Sequence, residues 1–209
     1  MTDDYCFART TRIVRGRLIA IVRAANAQEA EALGESLLAE GLDVVEVALT
    51  TPGALQAVER LSARHPDALV GAGTVLDAAS ARLALLAGAR FLVSPSLAAE
   101  VLVTAHRYGA PVLCGAQTPT EIEAALSAGA DLVKLFPANQ LGPDYLRAVR
   151  AALPQAPIVP TGGIDAANAA AWLDAGAVAL AVGDALTRES SQRARLRIIV
   201  SETRPPATP

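Results

Sequence analysis

Residues 120–153, TEIEAALSAGADLVKLFPANQLGPDYLRAVRAAL, spell out one structural unit almost in full. Thr120 to Ser127 is an alanine-rich helical segment, and Gly129 closes it. Asp131 to Phe136 is a short apolar strand, and Pro143 opens a second helix that runs to Leu153. Glycine suits the residue after a helix, and proline suits its first position. The same order recurs along the chain. Leu18–Val22, Asp43–Leu49, Ala68–Gly73, Arg90–Val93, Pro111–Cys114, Asp131–Phe136, Pro157–Pro160 and Ala177–Val182 read as strands. Helices are expected over 27–40, from the Thr50-Thr51-Pro52 step to 64, over 77–87 with Asp77 as its cap, and up to 107. They continue over 120–127, 143–153 and 166–175, with one last helix from Gly183 to about Val200.

Eight strand-then-helix units imply parallel strands joined by right-handed crossovers. That number favours an α/β fold of the (β/α)8 TIM-barrel type in a single domain, at the short end of that fold's length. An open doubly wound sheet is the other arrangement. Its dinucleotide-binding version needs a GxGxxG after the first strand, which this chain lacks. The expected division is a lead-in helix over 1–17, the barrel over 18–200 and a flexible, proline-rich tail over 201–209.

The chain has 209 residues, of which 52% are hydrophobic but only 3% aromatic, so its core is built from small and branched aliphatic side chains. Such residues suit helices packed closely on a buried parallel sheet. A net charge of -3 gives no electrostatic case for a nucleic-acid partner or an anionic membrane. The first residues lack the apolar core of a signal peptide, and no apolar run approaches a bilayer's thickness. A soluble, cytoplasmic protein is expected. Cys6 and Cys114 form no disulfide framework and no metal-ligand spacing, so both are expected as free thiols. His65 and His106 lie far apart outside any HExxH pattern, and no metal is expected.

Among the 18 lysines and arginines, Lys134 is the sole lysine. It sits inside an apolar strand rather than on a polar face. Burial disfavours the charged form of an amine and releases a nucleophile that a guanidinium cannot supply. Lys134 is therefore a candidate for Schiff-base chemistry. The plainer reading is a strand-end lysine that extends its ammonium to water.

Barrel enzymes carry their active sites at the C-terminal ends of the strands. The polar and special residues at those ends are Arg23, Glu46, Thr74, Pro95, Lys134 with Phe136 on the same face, Thr161-Gly162-Gly163, and Gly183-Asp184. Arg23 alone reads equally as a rim charge, Thr74 as a turn cap, and the glycines as a tight turn. Glu46 lies between Val45 and Val47, which argues against a solvated face, although a structural ion pair with Lys134 would look the same. Glycine-rich loops after strands seven and eight suit an anion held by backbone N–H groups.

Val45-Glu46-Val47, Val70 to Leu76, Val93-Ser94-Pro95, Val133 to Ala138 and Pro160 to Ile164 follow in an order that resembles a known family. These blocks are similar to the class I aldolases that cleave 2-keto-3-deoxy-6-phosphogluconate (KDPG), its galactonate epimer (KDPGal) or 4-hydroxy-2-oxoglutarate (KHG). The similarity runs from about Leu18 to Leu186.

The resemblance implies a homotrimer of barrels without a cofactor other than the covalent imine on Lys134. Its substrate would be a small keto acid, cleaved to pyruvate and an aldehyde. It implies Glu46 as general acid and base, and Thr74, Pro95 and Phe136 around the pyruvate. Thr161, Gly162, Gly163 and the loop at Gly183 would hold the distal anionic end. Two positions depart from the phosphogluconate pattern. Thr50 stands where those members carry an arginine, with Arg23 resembling the arginine of the galactonate branch. Asp184 stands where phosphate-binding members usually have serine. The other readings are a phosphosugar isomerase or synthase on the same barrel and a non-catalytic trimeric scaffold.

Overall fold

The computed structural model describes residues 5–203. Eight strands alternate with helices: β1 (Leu18–Val22), β2 (Val44–Ala48), β3 (Leu69–Gly73), β4 (Leu92–Ser94), β5 (Val112–Ala116), β6 (Leu132–Leu135), β7 (Ile158–Pro160) and β8 (Leu180–Val182). All neighbours pair in parallel, in the order β7-β6-β5-β4-β3-β2-β1-β8. The last seam is narrow. A bridge between Thr161 and Ala181 and a bond from the Val178 N–H to the Ile158 carbonyl (3.0 Å) join β7 to β8. The molecule is a (β/α)8 barrel. Among its described residues no helix is long and apolar enough to cross a membrane.

The helices are α1 (Cys6–Gly16), α2 (Ala27–Ala39), α3 (Ala54–Arg64), α4 (Ala78–Leu86), α5 (Ala99–Arg107), α6 (Pro119–Ser127), α7 (Pro143–Ala152), α8 (Ala169–Asp174), α9 (Asp184–Thr187) and α10 (Ser190–Glu202). Gly129 ends α6 at φ 96°, where the Ala130 N–H reaches back to the Ala125 carbonyl at 2.9 Å. The same closure follows α2, α4, α5 and α8. It satisfies carbonyls that the helix leaves open and aims the chain into the next strand. Asp77 caps α4 as expected, its Oδ1 accepting from the Ser80 N–H at 2.7 Å.

Two expected helices differ. Thr50 to Gly53 remain a loop, because Gly53 takes φ 73° and the buried Thr51 hydroxyl accepts from the Ala24 N–H at 3.2 Å. That bond ties the loop after β2 to the loop after β1. The single last helix is in fact two, α9 and α10, broken at Glu189. After the break each part buries its own residues, Leu186 on α9 and Leu196 with Arg193 on α10.

Side chains that point into the barrel form their own apolar cluster, including Ile19, Val44, Leu69, Phe91, Leu113 and Val159. Outward-pointing residues form the larger core with the helices. Ile13 of α1, fully buried, joins the inner cluster from the N-terminal end. Burying such a side chain contributes about 2 kcal/mol, so α1 acts as a floor to the barrel. Asp131 pins that floor: it accepts from the Cys6 thiol (3.1 Å) and the Val112 N–H (2.9 Å), and lies 2.9 Å from His106 Nε2. Burial and the neighbouring Asp131 push the Cys6 thiol up to about 12. Of the tail expected over 201–209, residues 201 and 202 belong to α10, and 204–209 lie outside the described residues.

Candidate active site

Lys134 projects from β6 on the face that also carries Leu132, into the barrel. Its register partners are Gly115 on β5 and Val159 on β7. It is 6% exposed, and its Nζ lies 5.0 Å from the centre of the Phe136 ring. A cation at that distance is held by the negative face of the aromatic ring.

Glu46 projects inward from β2, in register with Ile21 and Gly71, and is 2% exposed. Its Oε2 is buried without a hydrogen-bond partner. Burial pushes the carboxyl above the usual carboxylate range, while the Lys134 ammonium and the Arg23 guanidinium pull it part of the way back. The barrel thus holds an amine and a carboxyl group inside one low-dielectric space, with an oxygen of the carboxyl free to exchange a proton. Such a pair suits imine formation assisted by proton transfer.

Around them the strand ends form a mouth. Arg23 follows β1 and is exposed, near enough to act on Glu46. Thr74 follows β3 at φ 59°, a left-handed conformation that a β-branched residue rarely adopts. Pro95 follows β4 and is half-buried. Phe136 follows β6, with its ring by Lys134, is 39% exposed, and precedes a cis peptide bond to Pro137. The next residues are stitched to the β7 loop, since Ala138 N–H bonds the Thr161 carbonyl (2.9 Å) and Asn139 N–H that of Gly162 (3.1 Å). Thr161 is buried, whereas Gly162 and Gly163 at φ 98° and 71° present mainly backbone. Gly183 follows β8. Asp184 opens α9, its side chain 79% exposed and 3.5 Å from Arg188.

The sequence matches the family model for KDPG and KHG aldolase over residues 10–199. The chain belongs to the KDPG and KHG aldolase family. This aldolase-family chain is 36% identical over 173 residues to a 2-dehydro-3-deoxy-6-phosphogalactonate aldolase of Escherichia coli (strain K12), covering 82% of this chain and 84% of the relative. A solved native KDPGal structure is 34% identical, with a TM-score of 0.78 over 88% of this chain and 90% of the other. The KDPG aldolase from Legionella pneumophila was solved with pyruvate captured at low pH as a covalent carbinolamine. It is 28% identical, with a TM-score of 0.77 over 93% and 95% of the two chains.

Three glycines of this aldolase-family barrel make room for neighbouring groups that approach the sheet closely. A Cβ on Gly73 would lie 1.6 Å from Glu46 Oε1, and one on Gly71 would lie 2.4 Å from the Phe91 ring. A Cβ on Gly115 would meet the Pro95 carbonyl oxygen at 2.0 Å, next to Lys134 in register. Glycine inside a strand marks such close approaches. Reading Gly71 and Gly73 only as the end of a strand missed this role, although their presence in an otherwise branched-aliphatic sheet was the available signal.

Proposed function

We propose that this protein is a class I aldolase that cleaves a 2-keto-3-deoxy sugar acid, phosphorylated or not, or 4-hydroxy-2-oxoglutarate. The observation that carries the reading is the buried Lys134 facing the same interior as Glu46, whose unpartnered Oε2 feels the Lys134 charge.

In this mechanism the Lys134 amine attacks the C2 ketone and gives a carbinolamine. Glu46, acting through a water molecule, delivers a proton to the departing hydroxyl, and water leaves as the protonated imine forms. Glu46 then takes the proton of the C4 hydroxyl. The C3–C4 bond breaks, the aldehyde departs, and the electron pair of that bond moves into the iminium to give an enamine. Protonation at C3 and hydrolysis of the imine release pyruvate and restore the amine. The aldehyde is glyceraldehyde 3-phosphate from a phosphorylated hexonate, or glyoxylate from 4-hydroxy-2-oxoglutarate. The imine is the only cofactor this chemistry needs.

Thr74, Pro95 and Phe136 shape the pyruvate end. Thr161, Gly162, Gly163 and Gly183 meet the distal end, with Arg23 supplying charge to an anionic substrate. Reduction with borohydride in the presence of pyruvate is expected to add one pyruvate-derived mass, mapped by peptide analysis to Lys134. No adduct, or an adduct elsewhere, would overturn the mechanism.

Asp184 sets the charge at the distal end. A carboxylate there repels a dianion, and its exposure means the repulsion is screened by solvent and by Arg188. Asp184→Ser is accordingly expected to raise kcat/KM for a phosphorylated keto acid several-fold relative to its unphosphorylated counterpart. An unchanged ratio in competition assays would show that Asp184 plays no part in selection.

The working form proposed is a cytoplasmic homotrimer. Leu76, Leu83 and Leu86 on and before α4, with Leu97 and Val103 around α5, are large apolar side chains left exposed in the single chain. Exposed apolar side chains on two helices that pack on each other suit association with further copies.

A further inference from the structure

We propose that Cys6, His106 and Asp131 form a second site, for a zinc-like divalent cation, at the N-terminal end of the barrel. The proposal goes beyond the aldolase reading and does not depend on the reaction at Lys134.

Three separate elements bring these side chains together. Cys6 opens α1, His106 lies in the last turn of α5, and Asp131 stands just before β6. The Cys6 Sγ lies 3.1 Å from Asp131 Oδ1, and His106 Nε2 lies 2.9 Å from Asp131 Oδ2. One ligating atom from each residue falls within 4.8 Å of the other two. Ligands bound to one tetrahedral zinc stand about 3.5 Å apart, so small side-chain shifts bring all three onto one ion. Cys6 and Asp131 are half-buried, whereas the His106 side chain is 37% exposed, which leaves the cluster open to solvent on one side. Sequence spacing concealed it, since Asp131 lies 125 residues from Cys6 and 25 from His106.

The donor set selects the cation. A thiolate, an imidazole and a carboxylate are the mixed ligands that zinc takes, with water completing the fourth position. The two anionic ligands balance a divalent charge, and the neutral imidazole adds none. Asp131 is already oriented, because its Oδ2 accepts from the Val112 N–H at 2.9 Å; such an outer hydrogen bond fixes a ligating carboxylate. Arg9 is near enough to Cys6 to favour its thiolate. On binding, the S–H bond of Cys6 breaks, its proton passes to solvent, and a sulfur–metal bond forms. Coordination deprotonates a thiol that burial otherwise keeps protonated. His106 holds its proton on Nδ1, so that the Nε2 lone pair faces the ion. The bound cation would join α1 and α5 to the start of β6.

The competing account makes Asp131 a hydrogen-bonding hub for the same three elements. A hub needs no metal, and it predicts no response of the thiol to zinc. Cobalt(II) is the spectroscopic probe and zinc the competitor, each titrated into native protein kept reduced with a phosphine. Cobalt should give a saturable thiolate-to-metal absorption in the near ultraviolet, which zinc abolishes. Zinc should slow iodoacetamide alkylation of Cys6, followed by peptide mass spectrometry, by about tenfold or more, since the thiolate is the nucleophile. It should also raise Tm saturably, because a ligand bound only to the folded chain stabilises it.

Cys6→Ser should lose the cobalt absorption, and Cys114→Ser should keep it. His106→Gln, at an exposed position that leaves folding and aldol cleavage intact, should weaken zinc affinity by about a hundredfold. This variant carries the test if Cys6→Ser fails to fold. The absence of a saturable cobalt absorption in the native protein would overturn the proposal. So would alkylation of Cys6 unchanged by zinc, an equal zinc affinity in His106→Gln, or an absorption lost in Cys114→Ser and kept in Cys6→Ser.

Discussion

Lys134→Arg is expected to lower kcat/KM for aldol cleavage by a factor on the order of ten thousand or more, the scale on which loss of a covalent nucleophile is felt. The substitution keeps a positive charge beside Phe136 and Glu46 but removes an amine able to form an imine. Arginine also stacks well on an aromatic face, here that of Phe136. Lys134→Met is the companion. It removes charge and nucleophile together in a side chain of similar length, and it withdraws a cation that opposes the upward push on Glu46. Both variants should be inactive by pyruvate release, and neither should be trapped by borohydride. An arginine variant retaining more than a tenth of the activity beside an inactive methionine variant would mean that Lys134 contributes only charge.

The likeness between sequence and structure is greatest where local chemistry decides. Glycine after a helix has one strong structural use, and its recurrence at Gly41, Gly88, Gly109, Gly129 and Gly176 set out the alternation that became the barrel. The burial of Lys134 was legible because the chain's sole lysine lies in an apolar strand, and that of Glu46 because valine flanks it on both sides. What the sequence concealed depends on contacts far apart along the chain. Gly73 is small because Glu46, on the neighbouring strand, occupies its Cβ position. Arg17 resembles any arginine at a helix end until α10 returns to it, 186 residues later. The helix starting at Ala54 was drawn too early because Pro52 is a good first helical residue. Tertiary contact through Thr51 instead keeps that stretch as part of the mouth.

Glu46→Gln should separate catalysis from stability in opposite directions. Removing the proton-transfer group should lower kcat by about a hundred- to ten-thousand-fold. The effect on stability follows from the direction of the carboxyl's shift. Its ordinary value is 4.5, and burial raises it in the folded chain against the opposing pull of Lys134 and Arg23. Below 4.5 the group is neutral in both folded and unfolded chains and favours neither. As pH rises through the raised folded value, the unfolded chain gives up its proton more readily, and stability is lost. Glutamine has no proton to lose in this range. The variant should therefore match the native protein in thermal unfolding near pH 4 and exceed it by a few degrees near pH 8.

The same shift places the acid limb of the native kcat/KM profile above 4.5, provided Glu46 works as the base. Arg23→Met should move that limb further upward, because the guanidinium is one of the two charges holding it down. A limb at or below 4.5, or a Glu46→Gln variant with native kcat, would remove Glu46 from the reaction. Raised Tm at high pH with lost turnover would instead identify Glu46 as a group held in an unfavourable charge state because the chemistry at Lys134 requires it.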